Sequence, residues 1–412
     1  MADRGKVAAA PSFDASDPLL ARAAWSRVAE PGDPVAGALV THLGAPDALA
    51  WLYEAAADAS PFVPGALARG QDRPAVERVL RAVERWRGRL AVLDPVREMR
   101  ALDQLGGALL VPGDPRWPTS VDALGDVAPL ALWVRGETDL AGLSRRSVAL
   151  VGARACTEYG RHVAADLASG LVDRRFTVVS GGAYGIDASA HRGAIVAQGR
   201  TVAFLAGGVD RLYPAGNTDL LRAVLDTGSL VSEVPPGSVP SRVRFLQRNR
   251  LIAAFSRATV VVEAAWRSGA LSTATHASAL LRPVGAVPGP VTSMASGGCH
   301  QLLRDAKAVC VTDVDEVAEL AGHVGADAPP PREGASAPQD GLDELGTRLW
   351  DALPLRAYAA VDSVARAAGL GVDETLGGLG HLELVGLATQ SGGRWRRAAR
   401  PSQGVGSTAR GG

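Results

Sequence analysis

The chain has 412 residues, 47% of them hydrophobic, enough for two or three domains around full-sized cores, which excludes a disordered or fibrous protein. Its 43 basic and 43 acidic residues cancel, so no global field points to a nucleic-acid partner and any such evidence must be local. Cys156, Cys299 and Cys310 form no C-x-x-C pair and no uncharged stretch stays apolar long enough to span a bilayer, so the expectation is a soluble cytoplasmic protein with no membrane attachment, disulfide framework, metal or cofactor.

In chain order, residues 1–15 read as an unstructured tail. A helical module over 16–95 comes next, its Trp25, Val28, Leu39, Leu43, Leu49, Trp51 and Leu52 recurring near 3.6 residues, with Pro31, Gly32, Pro34, Gly44 and Pro46 as punctuation. It reads as a SAM or helix-hairpin-like domain, serving either backbone contact and docking or packing alone, because its charges show no one-sided face.

Over 100–321 the texture changes to short apolar runs: Val148–Val151, Thr177–Val179, Thr201–Leu205, Ser229–Val231, Thr259–Val262, Val284–Val287 and Val309–Val311. Separated by amphipathic helices and glycine-rich turns, they predict strands buried on both faces of a doubly wound, mostly parallel sheet, an extended Rossmann-like α/β domain. Two earlier runs, Leu109–Pro112 and Leu130–Val134, add strands or cover. Residues 322–341, with Pro329-Pro-Pro331, read as an extended linker. Over 342–398 three short helices, near Leu342–Leu353, Ser363–Ala368 and Val372–Leu384, precede a hairpin around Ser391-Gly-Gly393, the order of a winged helix, and 399–412 reads as a second tail.

Ligands of open α/β sheets bind beyond the carboxyl ends of the strands, so the loops after the apolar runs carry the chemistry. The first, Val151-Gly152-Ala-Arg154, sets a glycine beside an arginine whose fork suits an anion. The second, Ser180-Gly181-Gly182-Ala-Tyr-Gly185-Ile-Asp187, and the third, containing Gly208 and Asn217, permit close backbone approach before helix starts. Together they read as a phosphate cradle; taken singly, each also fits a packing turn. Between Glu233 and Glu263 no acid occurs, while Arg242, Arg244, Arg248, Arg250 and Arg257 all do, with Phe245 interleaved. Arginines that hold phosphates beside a ring that stacks on unpaired bases suit a single strand; the other reading is a solvated basic face with Phe245 in the core. Asn249 lies between two arginines and fixes the loop, Arg267-Ser268-Gly269 opens the next helix, where Ser268 can cap or bind an anion, and Glu263 is either a general base or the partner of a loop arginine.

The ordered set Val151-Gly-Ala-Arg154, Ser180–Asp187, Tyr213-Pro-Ala-Gly-Asn217, Phe245-Leu-Gln-Arg-Asn-Arg250 and Ser268-Gly-Ala-Leu-Ser-Thr273 resembles the DNA-processing protein A (DprA/Smf) family over roughly Leu102 to Leu320. The resemblance implies an extended Rossmann domain that binds single-stranded DNA, dimerises and loads RecA recombinase in natural transformation or general recombination, with Arg154, Arg242, Phe245 and Arg248 or Arg250 on the DNA. Leu246 stands where the family usually has proline, and Ala270-Leu271 where it has Ser-Leu. The last module lacks a basic recognition helix, holding Asp373, Glu374 and Glu383, which favours protein contact or autoregulation there. The rival reading is a nucleotide-binding enzyme of phosphoribohydrolase type with Glu263 and Arg154 as catalytic groups; the P-G-G-x-G-T string of such enzymes is absent, and no catalytic residue is assigned.

Overall fold

The computed structural model describes residues 11–58, 61–65, 73–323, 325, 327–328 and 341–398, and the chain divides into two units between Pro329 and Pro330. The predicted tail 399–412, residues 1–10 and most of the predicted linker lie outside the described residues.

The chain enters on helices Pro18–Val28, Pro34–Leu43, Ala45–Ala57, Arg73–Leu90 and Pro95–Gln104. Asp17 and Asp33 cap the first two through their carboxylates, each ahead of a proline at the first helical position, where the missing N–H costs nothing. The apolar stripes converge on one core in which Trp25 and Trp86 meet edge to face with centroids 5.4 Å apart. Phe13 and Ala15 pack against that core, so the described end of the predicted tail is docked.

This helical part is fastened to the α/β part at several points. Trp133 Nε1 donates to Ser26 Oγ at 3.1 Å, Arg22 to the Leu130 carbonyl at 2.8 Å, and a side chain on Gly37 would collide with the Asp126 carbonyl. Helical part and sheet thus belong to one unit.

The sheet has nine strands: β1 (Gly107–Leu110), β2 (Leu132–Gly136), β3 (Ser147–Gly152), β4 (Thr177–Ser180), β5 (Thr201–Leu205), β6 (Ser229–Ser232), β7 (Ala258–Glu263), β8 (Val284–Ala286) and β9 (Val309–Cys310). Their order is β1-β2-β6-β5-β4-β3-β7-β8-β9, parallel from β6 to β9, with β2 antiparallel to β6 and β1 to β2. The seven apolar runs are the seven parallel strands, which makes this the mostly parallel, Rossmann-like sheet the sequence predicts. Alternate residues serve opposite faces: Val151, Val179 and Val261 join Leu251, Ile252 and Phe255 of the Arg242–Phe255 helix, whereas Val148, Leu150 and Val260 join Leu167, Leu171 and Ala190 of helices Glu158–Asp173 and Ile186–Val196. From β3 the chain winds outward to β6 and then returns to β7 on the other side of β3, so the topological switch point lies between the ends of β3 and β7.

The predicted linker is tied down at its start, where Asp327 accepts from Arg146 at 3.0 Å. The second unit, taken alone, carries helices Glu344–Ala352, Val361–Ala368 and Val372–Leu384 and a three-stranded antiparallel sheet ordered β10 (Ala359–Ala360), β12 (Arg394–Arg397), β11 (Ala388–Ser391), around Leu349, Val364, Leu379 and Trp395.

Candidate nucleic-acid interface

A cleft of about 480 Å³ opens at the switch point, lined from the β3 end by Gly152 and Arg154, from the β7 end by Arg267, Ser268 and Gly269, and from the helix before β7 by Phe245 and Leu246. Ser241 starts that helix by accepting the Arg244 amide at 3.3 Å on its side chain, which sets Arg242 at the first turn with Phe245 three residues on, on the same side. The Arg154 guanidinium carbon sits 4.7 Å from the Phe245 ring centroid and that of Arg248 6.0 Å. Arg154, Arg242 and Arg267 are exposed, and among the described residues none pairs with a carboxylate. On the far wall the Ala270–Ala279 helix points its N-terminus into the cleft, Ser268 Oγ accepting the Ala270 amide, and Gly269 leaves open space where a side chain would stand.

Several residues expected at a ligand are committed to the protein instead. Ser180 is fully buried and donates to the Leu150 carbonyl at 2.7 Å, pinning β4 to β3. The Gly181 and Ala183 amides already donate to the buried Asp187 carboxylate, at 3.1 and 3.4 Å, and the Asn217 amide donates to the Gly182 and Ala183 carbonyls. Two amides of this second glycine loop are therefore already taken by a carboxylate of the protein itself. Gly182 and Gly185 adopt positive φ, and a side chain on Gly185 would strike the Ala153 carbonyl, so the glycines serve packing. Gly208 faces the turn at Pro235–Ser238, outside the cleft, with its amide on the Ser238 carbonyl.

The arginine cluster divides by face. Arg248 is buried: it presses on Gly181, donates to the Phe204 carbonyl at 3.0 Å, and leaves Nε without a partner. Burial brings its pKa down to about 10, against the nearby Asp187 charge, and burial pushes Asp187 up, opposed by Arg248 and the two amides. Arg248 thus contributes positive potential under the cleft floor without an exposed fork. Arg250 departs from expectation entirely, donating Nη2 to both oxygens of buried Glu233, at 2.7 and 2.8 Å, beneath Gly32 of the helical part. Arg244 is likewise taken, pairing with Glu30 at 2.9 and 3.1 Å. Asn249 lines the cleft but anchors it, donating to the Gly269 carbonyl at 3.1 Å. Among the described residues Glu263 pairs with no arginine; its carboxylate accepts the amide and hydroxyl of Thr157, both at 2.8 Å, and so holds the residue that caps the Glu158–Asp173 helix.

Trp266 was not read from the sequence, and Arg267 and Tyr213 were read as parts of their loops without a role on the ligand. Arg267 supplies the β7 side of the cleft, Trp266 stands beside it about half exposed, and Tyr213, also half exposed, meets Phe245 with ring centroids 5.9 Å apart. The available signal was an aromatic next to an arginine in a loop after a strand.

Fold and site together define a Rossmann-like α/β protein whose switch-point cleft gathers unpaired arginines around an aromatic ring. Residues 108–322 match the family described as DNA recombination-mediator protein A, and the chain belongs to this DprA/Smf family of DNA processing proteins. It is 49% identical over 310 residues to the putative DNA processing protein DprA of Mycobacterium tuberculosis strain H37Rv, covering 73% of this chain and 79% of that one. To Protein Smf of Escherichia coli K12 it is 36% identical over 303 residues, covering 70% and 78%. DNA processing protein A from Streptococcus pneumoniae superposes with a TM-score of 0.56 at 26% identity, over 76% of this chain and 100% of that chain. Among the described residues no single helix is long and apolar enough to cross a membrane.

Proposed function

We propose that this protein binds single-stranded DNA in the switch-point cleft, as a homodimer, and hands the strand to RecA recombinase in natural transformation or general recombination. The observation that carries the DNA-binding reading is the convergence of Arg154 and Arg267 on the cleft that Phe245 lines, with exposed Arg242 one turn before the ring on the same helix, none of the three having an acid partner among the described residues. Forks of this kind hold phosphates, a ring beside them stacks on an unpaired base, and the helix N-terminus at Ala270 favours a further anion. The cleft holds one carboxylate, Asp187, which accepts from two amides and lies close to the Arg248 charge, so it weakly opposes the strand. Family membership supports the step beyond binding, as does the name of the matching family, and we read the second unit as a winged helix from its three helices and three-stranded sheet.

Fluorescence anisotropy of labelled oligothymidylate over a salt series tests the reading. Affinity should fall steeply with salt, and Arg154→Ala should flatten the plot by about 0.7 per lost single-strand phosphate contact, whatever the base sequence. An unchanged slope in Arg154→Ala, together with unchanged affinity, would remove the cleft as the binding site.

A further inference from the structure

The acidic helix Val372–Leu384 argues against the second unit as a nucleic-acid binder, yet its small sheet carries the opposite charge. Strand β12 alternates: Trp395 points into the unit's core with Ala359 and Ala388, and Arg397 on the same side is consumed, donating to the Trp350 carbonyl at 2.9 Å and approaching Asp351 at 3.6 Å. Register places the other residues on the opposite face, where Arg396 faces Thr389, and Arg394 faces Ser391 on one side and Ala360 on the other. Among the described residues neither arginine has a carboxylate partner, and the three strands contain no acid. Arg396 Nε and Thr389 Oγ1, at facing positions, are buried and have no hydrogen-bond partner among the described residues.

We infer that this outer sheet face binds the phosphate backbone of duplex DNA, with Arg394 and Arg396 as the contacting cations. The two lie about 7 Å apart along the strand, from a rise of roughly 3.4 Å per residue; Arg394 is exposed and Arg396 half-buried, with Ser391 and Thr389 opposite them. The Arg396 guanidinium carbon lies 4.8 Å over the Tyr358 ring, which orients that cation. Two cations on one strand read charge density, and duplex DNA, with one charge per roughly 1.7 Å of axis against one per roughly 3.4 Å on a single strand, presents it most densely. The helix cannot share this work, because Asp373 and Glu374 occupy its first turn and oppose an anion at its positive end. The contact is therefore by strand and hairpin, and it is independent of the single-strand reading of the cleft.

The test uses the full chain with a labelled 20-base-pair duplex and with oligothymidylate, each over a salt series. For the Arg394→Ala/Arg396→Ala double variant we expect duplex affinity about tenfold weaker at 0.1 M salt and a slope shallower by about 1.8, two phosphates at 0.9 each, with oligothymidylate binding unchanged. Arg154→Ala should do the reverse, so failure of the cleft reading and failure of this one register separately. Absence of duplex binding by the wild type, or duplex binding unaffected by the double variant, overturns the inference, and so does an equal loss on the single strand. The Arg394→Lys/Arg396→Lys variant guards against a folding artefact: it should keep the wild-type slope, and if it loses duplex binding as fully as the alanine pair, the arginines were structural and the inference fails.

Discussion

Phe245 is half-buried, with the Arg154 guanidinium carbon 4.7 Å and that of buried Arg248 6.0 Å from its ring centroid. Replacing it with alanine removes stacking and a cation–π contact but no charge, so Phe245→Ala should weaken oligothymidylate binding by about 1 to 3 kcal/mol for one stacked base while leaving the salt slope at its wild-type value. Titrations of both proteins at three salt concentrations check this, and a shift in thermal stability with unaltered affinity would assign the ring to the core. At this scale the sequence was legible in part. Arg154 and Phe245 come together as the motif spacing implies, because both sit at element ends where chain direction is set by the sheet. Arg244 and Arg250 do not, and the reason is distance along the chain: Glu30, 214 residues upstream, neutralises the first, and the second finds Glu233 just outside the acid-free stretch. A run without acids in sequence is not a surface without acids in space.

The Arg242–Phe255 helix works as a two-sided element, presenting Phe245 and Asn249 to the cleft and Arg244 and Arg250 to the helical part. Its second face is held by a buried ion pair whose desolvation is only partly offset, since Arg250 Nε and Nη1 lack partners. Glu233→Ala leaves that guanidinium buried and uncompensated, and should cost about 3 to 5 kcal/mol in urea unfolding, the range found on breaking such pairs. Single-strand binding at a temperature where the variant stays folded should keep its salt slope, because the lost group never met DNA. Equal stability of variant and wild type would mean that the pair does not hold the helix. The strands were the most legible elements, since burial on both faces leaves unbroken runs of valine, leucine and alanine. The glycine turns were legible as turns but not in purpose: whether a loop amide faces solvent or a carboxylate such as Asp187 is decided by residues that only the fold brings near.

For the molecule as a whole, the join between the helical part and the sheet carries a titratable group. Glu98 pairs with Arg27 at 2.6 Å, and Arg27 in turn donates to the Pro236 carbonyl and to Ser238 across the join. One Glu98 oxygen is buried without a partner, and burial outweighs the Arg27 charge, lifting its pKa to about 6 from 4.5. A carboxyl whose pKa is raised on folding stabilises fully below pH 4.5, where native and unfolded chains both hold the proton. Between 4.5 and 6 the native state keeps a proton that the unfolded chain has lost, so stability falls as pH rises, by about 2 kcal/mol over the 1.5 units at 1.36 kcal/mol each, and levels off above. Buried His191, drawn down to about 3, acts in the opposite sense, gaining stability as pH climbs from 3 toward 6.5, so the two effects cancel over much of this window and the raw pH profile hides both. The difference between Glu98→Gln and wild type isolates one of them. The glutamine keeps an oxygen for Arg27 but cannot ionise, so its stability relative to wild type should rise from pH 4.5 to about 6 and stay constant to pH 8, read from urea midpoints at fixed salt. A difference that stays flat across pH 4.5–6 would show that Arg27 fully compensates the buried charge and that the join is insensitive to pH.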